Sequence, residues 1–176
     1  MTTIRPATEA DLPAIAGIYN VTVDTAVSTF DTEHRPPEHF ADRVASTRPG
    51  DHLLVIEGDH GTVLGFAHAS TYRPRPAYDG TREVSVYLAE DARGRGLGRE
   101  LYDALLARVD ADGIHTCLAV IAQPNPASEA LHAATGFERV GLLREVGHKF
   151  GAWVDTALWQ RLGPAGSEDA AGPRRD

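Results

Sequence analysis

A glycine-rich turn between a strand pattern and a helix pattern is the feature that most restricts how this chain folds. Apolar and polar side chains alternate over residues 84–88, which predicts a strand, and a helix pattern begins at Leu97. The turn between them reads RGRGLG at residues 93–98. Closely spaced glycines let several backbone N–H groups converge on an anion at a helix N-terminus, and two arginines add positive charge. The segment is therefore predicted to bind a phosphate group.

Two familiar nucleotide-binding patterns fit this turn poorly. A P-loop requires Lys followed by Ser or Thr after its last glycine, whereas Arg99 and Glu100 follow Gly98 here. The dinucleotide pattern G-x-G-x-x-G fails as well, because Gly94, Gly96 and Gly98 are spaced by two. The turn alone leaves the phosphate-bearing ligand open.

The composition predicts one soluble globular domain. The 176 residues suffice for a single core, and the formal net charge of −8 disfavours a general nucleic-acid surface. Cys117 is the only cysteine and lies in an apolar run, which favours a buried thiol over a nucleophile. No apolar run approaches the roughly 20 residues that span a bilayer, and no signal peptide opens the chain, so a cytoplasmic protein is expected. The eight histidines lack metal-ligand spacing, so no metal is expected.

The hydrophobic pattern predicts the element order β-α-α-β-β-β-α-β-α-β-β. Strands are predicted at residues 3–5, 52–57, 62–70, 81–88, 114–121, 140–148 and 153–162, with helices beginning near residues 8, 36, 97 and 126. Residues 21–30 are predicted as a loop or a bent helix end, and strand 114–121 as a central strand buried on both faces. We expect one domain over residues 1–163, followed by a disordered tail at residues 164–176 that lacks apolar residues beyond alanine.

Arg93, Gly96 and Gly98 form the pattern R-x-x-G-x-G, which resembles the pyrophosphate loop of the Gcn5-related N-acetyltransferase (GNAT) superfamily. The predicted element order is also the order of that superfamily. The resemblance implies an α/β fold with a central, mixed and mostly antiparallel sheet of about seven strands and about four helices. It also implies acetyl-CoA as the co-substrate.

A second motif narrows the resemblance. Asn125 opens the predicted fourth helix, Gly136 and Phe137 end it, and His132 stands where most of the superfamily has Tyr. Other parts of the sequence narrow the resemblance in the same way, namely Phe30, Arg73, Arg75, residues 83–87 and residues 147–155. Together they resemble the phosphinothricin N-acetyltransferase group. That resemblance implies a small-molecule partner, with acetylation of the α-amine of phosphinothricin, methionine sulfoximine or methionine sulfone, and a homodimer.

The resemblance also implies which residues bind acetyl-CoA. The turn would hold the pyrophosphate, the edge of the fourth strand would pair with the pantetheine arm, and the start of the fourth helix would contact the arm near the thioester. A backbone N–H near Val86 and Tyr87 would stabilise the oxyanion. The predicted cofactor-binding residues are Val86, Tyr87, Leu88, Arg93, Gly94, Arg95, Gly96, Leu97, Gly98, Arg99, Asn125 and Ser128.

Three residues are candidates for proton transfer. Glu83, Ser85 and Tyr87 share one face of the predicted strand, because alternate side chains of a strand point the same way. Glu83 is the expected general base, directly or through water, although a solvent-exposed acid at a strand start is the plainer alternative.

The acid that protonates the departing thiolate is left open by the sequence. His132 would orient the substrate or protonate the thiolate, and the alternative is an ordinary packed or surface histidine. Tyr87 is the other candidate acid, against a plain cross-strand aromatic, and a thiolate can also leave unassisted.

The loop that carries Arg73 and Arg75 bears on the substrate class. Each guanidinium group can bind a carboxylate or phosphinate through two hydrogen bonds, and two of them on a loop stiffened by proline suit a small dianionic amino acid. The alternative interpretation is a basic loop that is simply solvated. The predicted substrate-binding residues are Phe30, Arg73, Arg75, Glu83, Ser85 and Trp153. An acetyltransferase for a different amine, such as another amino acid or an aminoacyl antibiotic, and a catalytically silent acyl-CoA sensor remain alternatives.

Overall fold

The computed structural model describes residues 1–164, so the tail predicted at residues 164–176 lies outside the described residues apart from its first residue. The strands are β1 (Thr3–Pro6), β2 (His52–Glu57), β3 (Val63–Thr71), β4 (Thr81–Leu88), β5 (Thr116–Ala122), β6 (Glu138–Lys149) and β7 (Ala152–Leu162). The helices are α1 (Leu12–Thr25), α2 (Ala41–Ala45), α3 (Leu97–Ala111) and α4 (Pro126–Ala134). The predicted element order is confirmed.

The seven strands form one sheet in the order β1-β2-β3-β4-β5-β7-β6. All neighbouring pairs are antiparallel except β4 and β5, which run parallel. The prediction of a mixed and mostly antiparallel sheet is therefore confirmed. Among the described helices, none is long and apolar enough to cross a membrane.

The parallel pairing of β4 with β5 is short. Register is kept over only three residue pairs, the last of which joins Glu83 to Leu118. Both strands continue past this point, β4 to Leu88 and β5 to Ala122, without a ladder between them. The sheet is therefore open at its centre, between the carboxyl ends of two parallel strands, where α/β folds commonly bind ligands.

Two apolar clusters cover opposite faces of the sheet. The larger cluster packs α3 and the end of α4 against one face, with Leu101, Tyr102 and Leu105 fully buried. The smaller cluster packs α1 and the turn before α2 against the other face, around Ile15 and Phe40. Burial of these apolar stripes is what holds the helices to the sheet.

Two predictions about local structure were wrong in part. The α1 helix continues to Thr25, so only the end of residues 21–30 is a loop; the Thr22 and Thr25 hydroxyls donate to the carbonyls four residues back and keep these β-branched residues helical. Strand β5 is not buried on both faces, because Val120 is 46% exposed. The face of β5 that carries Val120 borders the opening between β4 and β5.

Candidate active site

A cleft of about 750 Å³ runs through the opening between β4 and β5. Its walls combine the turn before α3, the end of β4, the outer part of β5 and the first turns of α4. The predicted residues that line it are Ser85, Val86, Tyr87, Leu88, Arg93, Gly94, Gly96, Gly98, Arg99, Asn125, Ser128 and His132. Such a volume suits a ligand of cofactor size.

The glycine-rich turn has the backbone geometry that a phosphate cradle needs. Gly94 and Gly96 have φ values of 73° and 82°, a region that side chains other than glycine rarely adopt, and a Cβ at either position would point into open space. Gly96 is the N-cap of α3, so the first N–H groups of a fifteen-residue helix face the turn. The turn therefore fits an anionic group of the kind that the sequence predicted.

Not every residue of the turn reaches the cleft. Arg93 and Arg99 line it, and the guanidinium of Arg99 also binds the carboxylate of Asp103 at 2.6 Å. Arg95 is exposed and does not line the cleft, and the Leu97 side chain is buried in the core under α3. Leu97 can therefore contribute only its backbone to a ligand.

A second, smaller pocket of about 160 Å³ lies beside the cleft, on the sheet face that α1 covers. It is lined by Val27, Ser28, Phe30, Glu83, Ser85, Tyr87, Val120, Ala122 and Thr156. Ser85, Tyr87 and Val120 also line the large cleft, so the two cavities meet where β4 and β5 separate. The arrangement places a cofactor-sized cleft beside a smaller pocket that contains the Glu83 carboxylate.

Glu83 provides the carboxylate of the small pocket. It stands at the last β4–β5 pair, and burial raises the pKa of its carboxyl group above the ordinary glutamate value. A carboxylate with a raised pKa is a better proton acceptor from an amine than a fully solvated one. The structure thus places Glu83 in a pocket rather than at an exposed strand start.

Tyr87 lies between the two cavities with its ring in an aromatic stack. The ring centroid is 5.0 Å from that of Phe66 and 5.2 Å from that of Tyr19. Burial raises the pKa of the Tyr87 hydroxyl well above its usual range, so this hydroxyl keeps its proton at neutral pH. Tyr87 can therefore donate a hydrogen bond to a group in the cleft, but the raised pKa makes its hydroxyl a weaker acid than an exposed tyrosine.

His132 lines the cleft, but both of its ring nitrogens already have partners. Nδ1 is 2.7 Å from the carbonyl oxygen of Ser128, which can only accept, so Nδ1 carries the proton. Nε2 then accepts from the Tyr102 hydroxyl at 2.9 Å, and burial lowers the pKa of the imidazole. His132 is a neutral residue that ties α4 to α3, and it could protonate a leaving group only if Tyr102 moved away.

Asn125 has the predicted place at the start of α4. Its Oδ1 accepts the backbone N–H of Ser128 at 3.1 Å, which caps the helix, and Pro126 occupies the first helical position. Both Asn125 and Ser128 line the cleft. The cap therefore fixes two of the predicted cofactor contacts with respect to β5.

Residues 26–30 form a wall that the two cavities share. Lys149 of β6 holds this wall, because its Nζ donates to the carbonyl oxygens of Ala26 and Thr29, each at 2.8 Å. Phe30 lines the small pocket and packs against Gly147, where a Cβ would overlap the ring. A hairpin far along the chain thus sets the position of the wall.

Three predicted substrate residues do not line either cavity. Arg73 and Arg75 lie exposed on the loop before β4, and the Arg73 guanidinium stacks 5.0 Å from the Tyr72 ring centroid. Trp153 is 64% exposed and packs against His148, with 5.0 Å between the ring centroids. A single copy of the chain therefore brings together Phe30, Glu83 and Ser85 of the predicted set, but not these three.

Sequence reasoning missed several residues of the site. Ser28 and Phe150 line the cavities, Thr156 lies in the small pocket, and Lys149 fixes the shared wall. Thr156 is one of several polar residues of β7, so the strand pattern does not single it out. Lys149 and Phe150 lie in the segment 147–155 that carries part of the resemblance, but that segment does not indicate the Lys149 contact, which joins parts of the chain about 120 residues apart.

Comparison with known proteins identifies the family of the chain. The Acetyltransferase (GNAT) domain model matches residues 4–158. The chain is 42% identical to a phosphinothricin N-acetyltransferase of Streptomyces coelicolor, over 90% of this chain and 94% of that protein. It is 40% identical to an L-methionine sulfoximine/L-methionine sulfone acetyltransferase of Pseudomonas paraeruginosa, over 89% and 92% of the two chains.

A solved structure shows the same fold. The phosphinothricin acetyltransferase of Sinorhizobium meliloti, solved in complex with acetyl-CoA, superimposes with a TM-score of 0.88 and 37% identity, over 99% of this chain and 93% of that one. The seven-stranded sheet, the four helices and the glycine-rich turn are features of one α/β domain. The chain belongs to the GNAT family of N-acetyltransferases.

Proposed function

We propose that this chain transfers the acetyl group of acetyl-CoA to the α-amine of a small acidic amino acid, of the phosphinothricin, methionine sulfoximine or methionine sulfone type. The observation that carries the proposal is the half-buried Glu83 in a small polar pocket that opens onto a cofactor-sized cleft. The relatives named for those substrates, at about 40% identity over most of the chain, support the choice of amine.

Acetyl-CoA fits the residues of the large cleft. The turn around Gly94 and Gly96 would hold the pyrophosphate, and the free edge of β4 beyond Glu83 would pair with the amide groups of the pantetheine arm. Asn125 would contact the arm near the thioester. Bound there, acetyl-CoA supplies the acetyl group as a thioester.

Glu83 would act as the general base. It takes the proton from the substrate ammonium, directly or through water, so that the nitrogen lone pair can attack the thioester carbonyl. A backbone N–H near Val86 and Tyr87 would stabilise the oxyanion, and the carbon–sulfur bond then breaks to release the CoA thiolate. Tyr87 is the proposed proton donor for that thiolate, because it lines the cleft whereas both nitrogens of His132 are in use.

We further propose that the chain forms a homodimer through β6. This strand is the edge of the sheet, and its apolar residues Val140, Leu142, Leu143 and Val146 are 40% to 54% exposed. An exposed apolar edge strand favours association with another protein surface. Light scattering after size exclusion should give twice the chain mass, and Leu143→Lys should give the single-chain mass.

The reaction is tested by following thiol release from acetyl-CoA with phosphinothricin, methionine sulfoximine and methionine sulfone. Glu83→Gln should lower kcat by the roughly 10²–10⁴-fold that a lost general base causes. Because the pKa of Glu83 is raised, the acidic limb of the native kcat/KM profile should lie above the ordinary glutamate range, and Glu83→Gln should abolish it.

The Arg73 and Arg75 loop is tested in the same assay. If its guanidinium groups bind the substrate's anionic groups, Arg75→Ala should chiefly raise the KM for the amino acid. Acetyl-CoA binding without turnover of any of the three amines would refute the proposed substrate class. If the protein then acetylates members of a wider amine library, it is an acetyltransferase for a different amine. If it acetylates none of them, a catalytically silent acyl-CoA sensor is favoured.

A further inference from the structure

Thr156 contributes a buried hydroxyl to the small pocket. The residue is only 2% exposed, it lines the pocket together with Glu83, and its Oγ1 has no hydrogen-bond partner among residues 1–164. A buried hydroxyl without a partner is destabilising, so folded proteins rarely keep one. The hydroxyl needs a partner that the described protein does not supply.

Strand register places this hydroxyl on the same face of the sheet as the proposed base. Glu83 pairs with Leu118 across β4 and β5, and Thr156 pairs with Ala122 across β7 and β5. Leu118 and Ala122 lie four residues apart on β5, so their side chains point the same way. Paired residues share a face as well, so Thr156 and Glu83 both face the pocket.

The other side chains that line the small pocket do not bind the Thr156 hydroxyl. Val27, Phe30, Val120 and Ala122 are apolar, and the polar lining side chains besides Thr156 are Ser28, Glu83, Ser85 and Tyr87. Any amine that reaches Glu83 must cross a pocket of about 160 Å³ whose β7 wall is Thr156. An α-ammonium has three N–H donors, of which the base takes one proton to free the lone pair that attacks the thioester, so further N–H groups are left to donate.

We infer that Thr156 is a substrate-binding residue whose Oγ1 accepts a hydrogen bond from the acceptor amine and orients its nitrogen between Glu83 and the thioester. This inference rests on the proposed function and adds to it a residue on β7. The hydroxyl gains its partner only when the amine binds. A primary α-ammonium has three N–H groups, so it can give one proton to Glu83 and still donate a hydrogen bond to Thr156.

The test replaces the hydroxyl without changing the shape of the side chain. Thr156→Val should raise the KM for methionine sulfone about tenfold, the value of one hydrogen bond of about 1.4 kcal/mol, and leave the KM for acetyl-CoA within twofold. Thr156→Ser keeps the hydroxyl and should recover most of the lost kcat/KM. Because the hydroxyl is unpaired without substrate, Thr156→Val should also match or exceed the native Tm.

A buried threonine with a fully paired hydroxyl supplies the contrast for stability. The Thr135 hydroxyl lies 3.0 and 3.1 Å from the carbonyl oxygens of Leu131 and His132, so Thr135→Val should lower the Tm. The inference is overturned if Thr156→Val uses methionine sulfone within twofold of the native enzyme, if Thr156→Ser loses as much as Thr156→Val, or if Thr156→Val lowers the Tm as Thr135→Val does. If the native enzyme acetylates none of the three amino acids, the proposed function fails and the inference falls with it.

Discussion

Gly147 is the position where adding a single methyl group should change the substrate pocket most. A Cβ on Gly147 would overlap Cε2 and Cζ of the Phe30 ring and lie 2.7 Å from Cδ2. Ordinary carbon contacts are about 3.5–4.0 Å, so in Gly147→Ala the ring must move by about 1 Å or more. Gly147 has ordinary strand backbone geometry, so the effect of the substitution comes from this contact alone.

The cost to stability should be small and the cost to activity large. Overpacking usually costs about 1–3 kcal/mol, and Phe30, which is 40% exposed, can turn toward solvent, so we expect about 1 kcal/mol. That corresponds to a Tm lower by about 2–4 °C. Since a misplacement of 1 Å at a reacting site can cost about 100-fold, kcat/KM for the amino acid should fall by roughly 10–100-fold.

A second glycine of the same strand provides the control. A Cβ on Gly141 would meet Leu158 at 3.6 Å, an ordinary contact, so Gly141→Ala should keep native kinetics. The KM for acetyl-CoA should change little in either variant, because Phe30 does not line the large cleft. In Phe30→Ala, adding Gly147→Ala should have no further effect. If Gly147→Ala acetylates methionine sulfone as well as the native enzyme does, Phe30 is not a wall of the substrate pocket.

Three further predictions concern the framework of the site. Lys149→Met leaves two carbonyl oxygens without their donor, so the free energy of unfolding in urea should fall by about 1–3 kcal/mol. The KM for the amino acid should rise as well, and an unchanged free energy of unfolding would contradict this prediction. Burial lowers the pKa of His68 to about 3, so the unfolded chain binds a proton below about pH 6.5 that the folded protein refuses. As the pH is lowered from about 6.5 toward about 3, the unfolding free energy should therefore fall by up to about 1.4 kcal/mol per pH unit on account of His68, and more gently in His68→Leu. Asn125→Ala removes the α4 cap and should cost about 1 kcal/mol in urea unfolding, whereas Asn125→Asp should cost less.

The sequence predicted those parts of the fold that depend on local patterns. The bounds of β4 and the cap at Asn125 agree with the structure, because alternation and capping are read within a few residues. The face shared by Glu83, Ser85 and Tyr87 follows from the same alternation, and all three line the small pocket.

Features that depend on distant contacts could not be predicted. The exposed face of Val120 arises because β5 leaves β4 after three residue pairs, and the hydrophobic run of β5 contains no sign of that separation. The contacts of His132 depend on Tyr102 of another helix, which occupies Nε2. Arg73 and Arg75 look like anion ligands in sequence, yet a loop position is set by its neighbours and not by its own residues.

The short β4–β5 ladder has a consequence for how the domain responds to its ligand. Beyond Glu83, the facing backbone edges of the two strands have no partner strand among the described residues. An amide-bearing arm laid into that gap along β4 would pair with the open edge of this strand, so that edge would be satisfied only in the complex. Amide hydrogen exchange along residues 84–88 should then slow on cofactor binding far more than in β5 or in the outer strands.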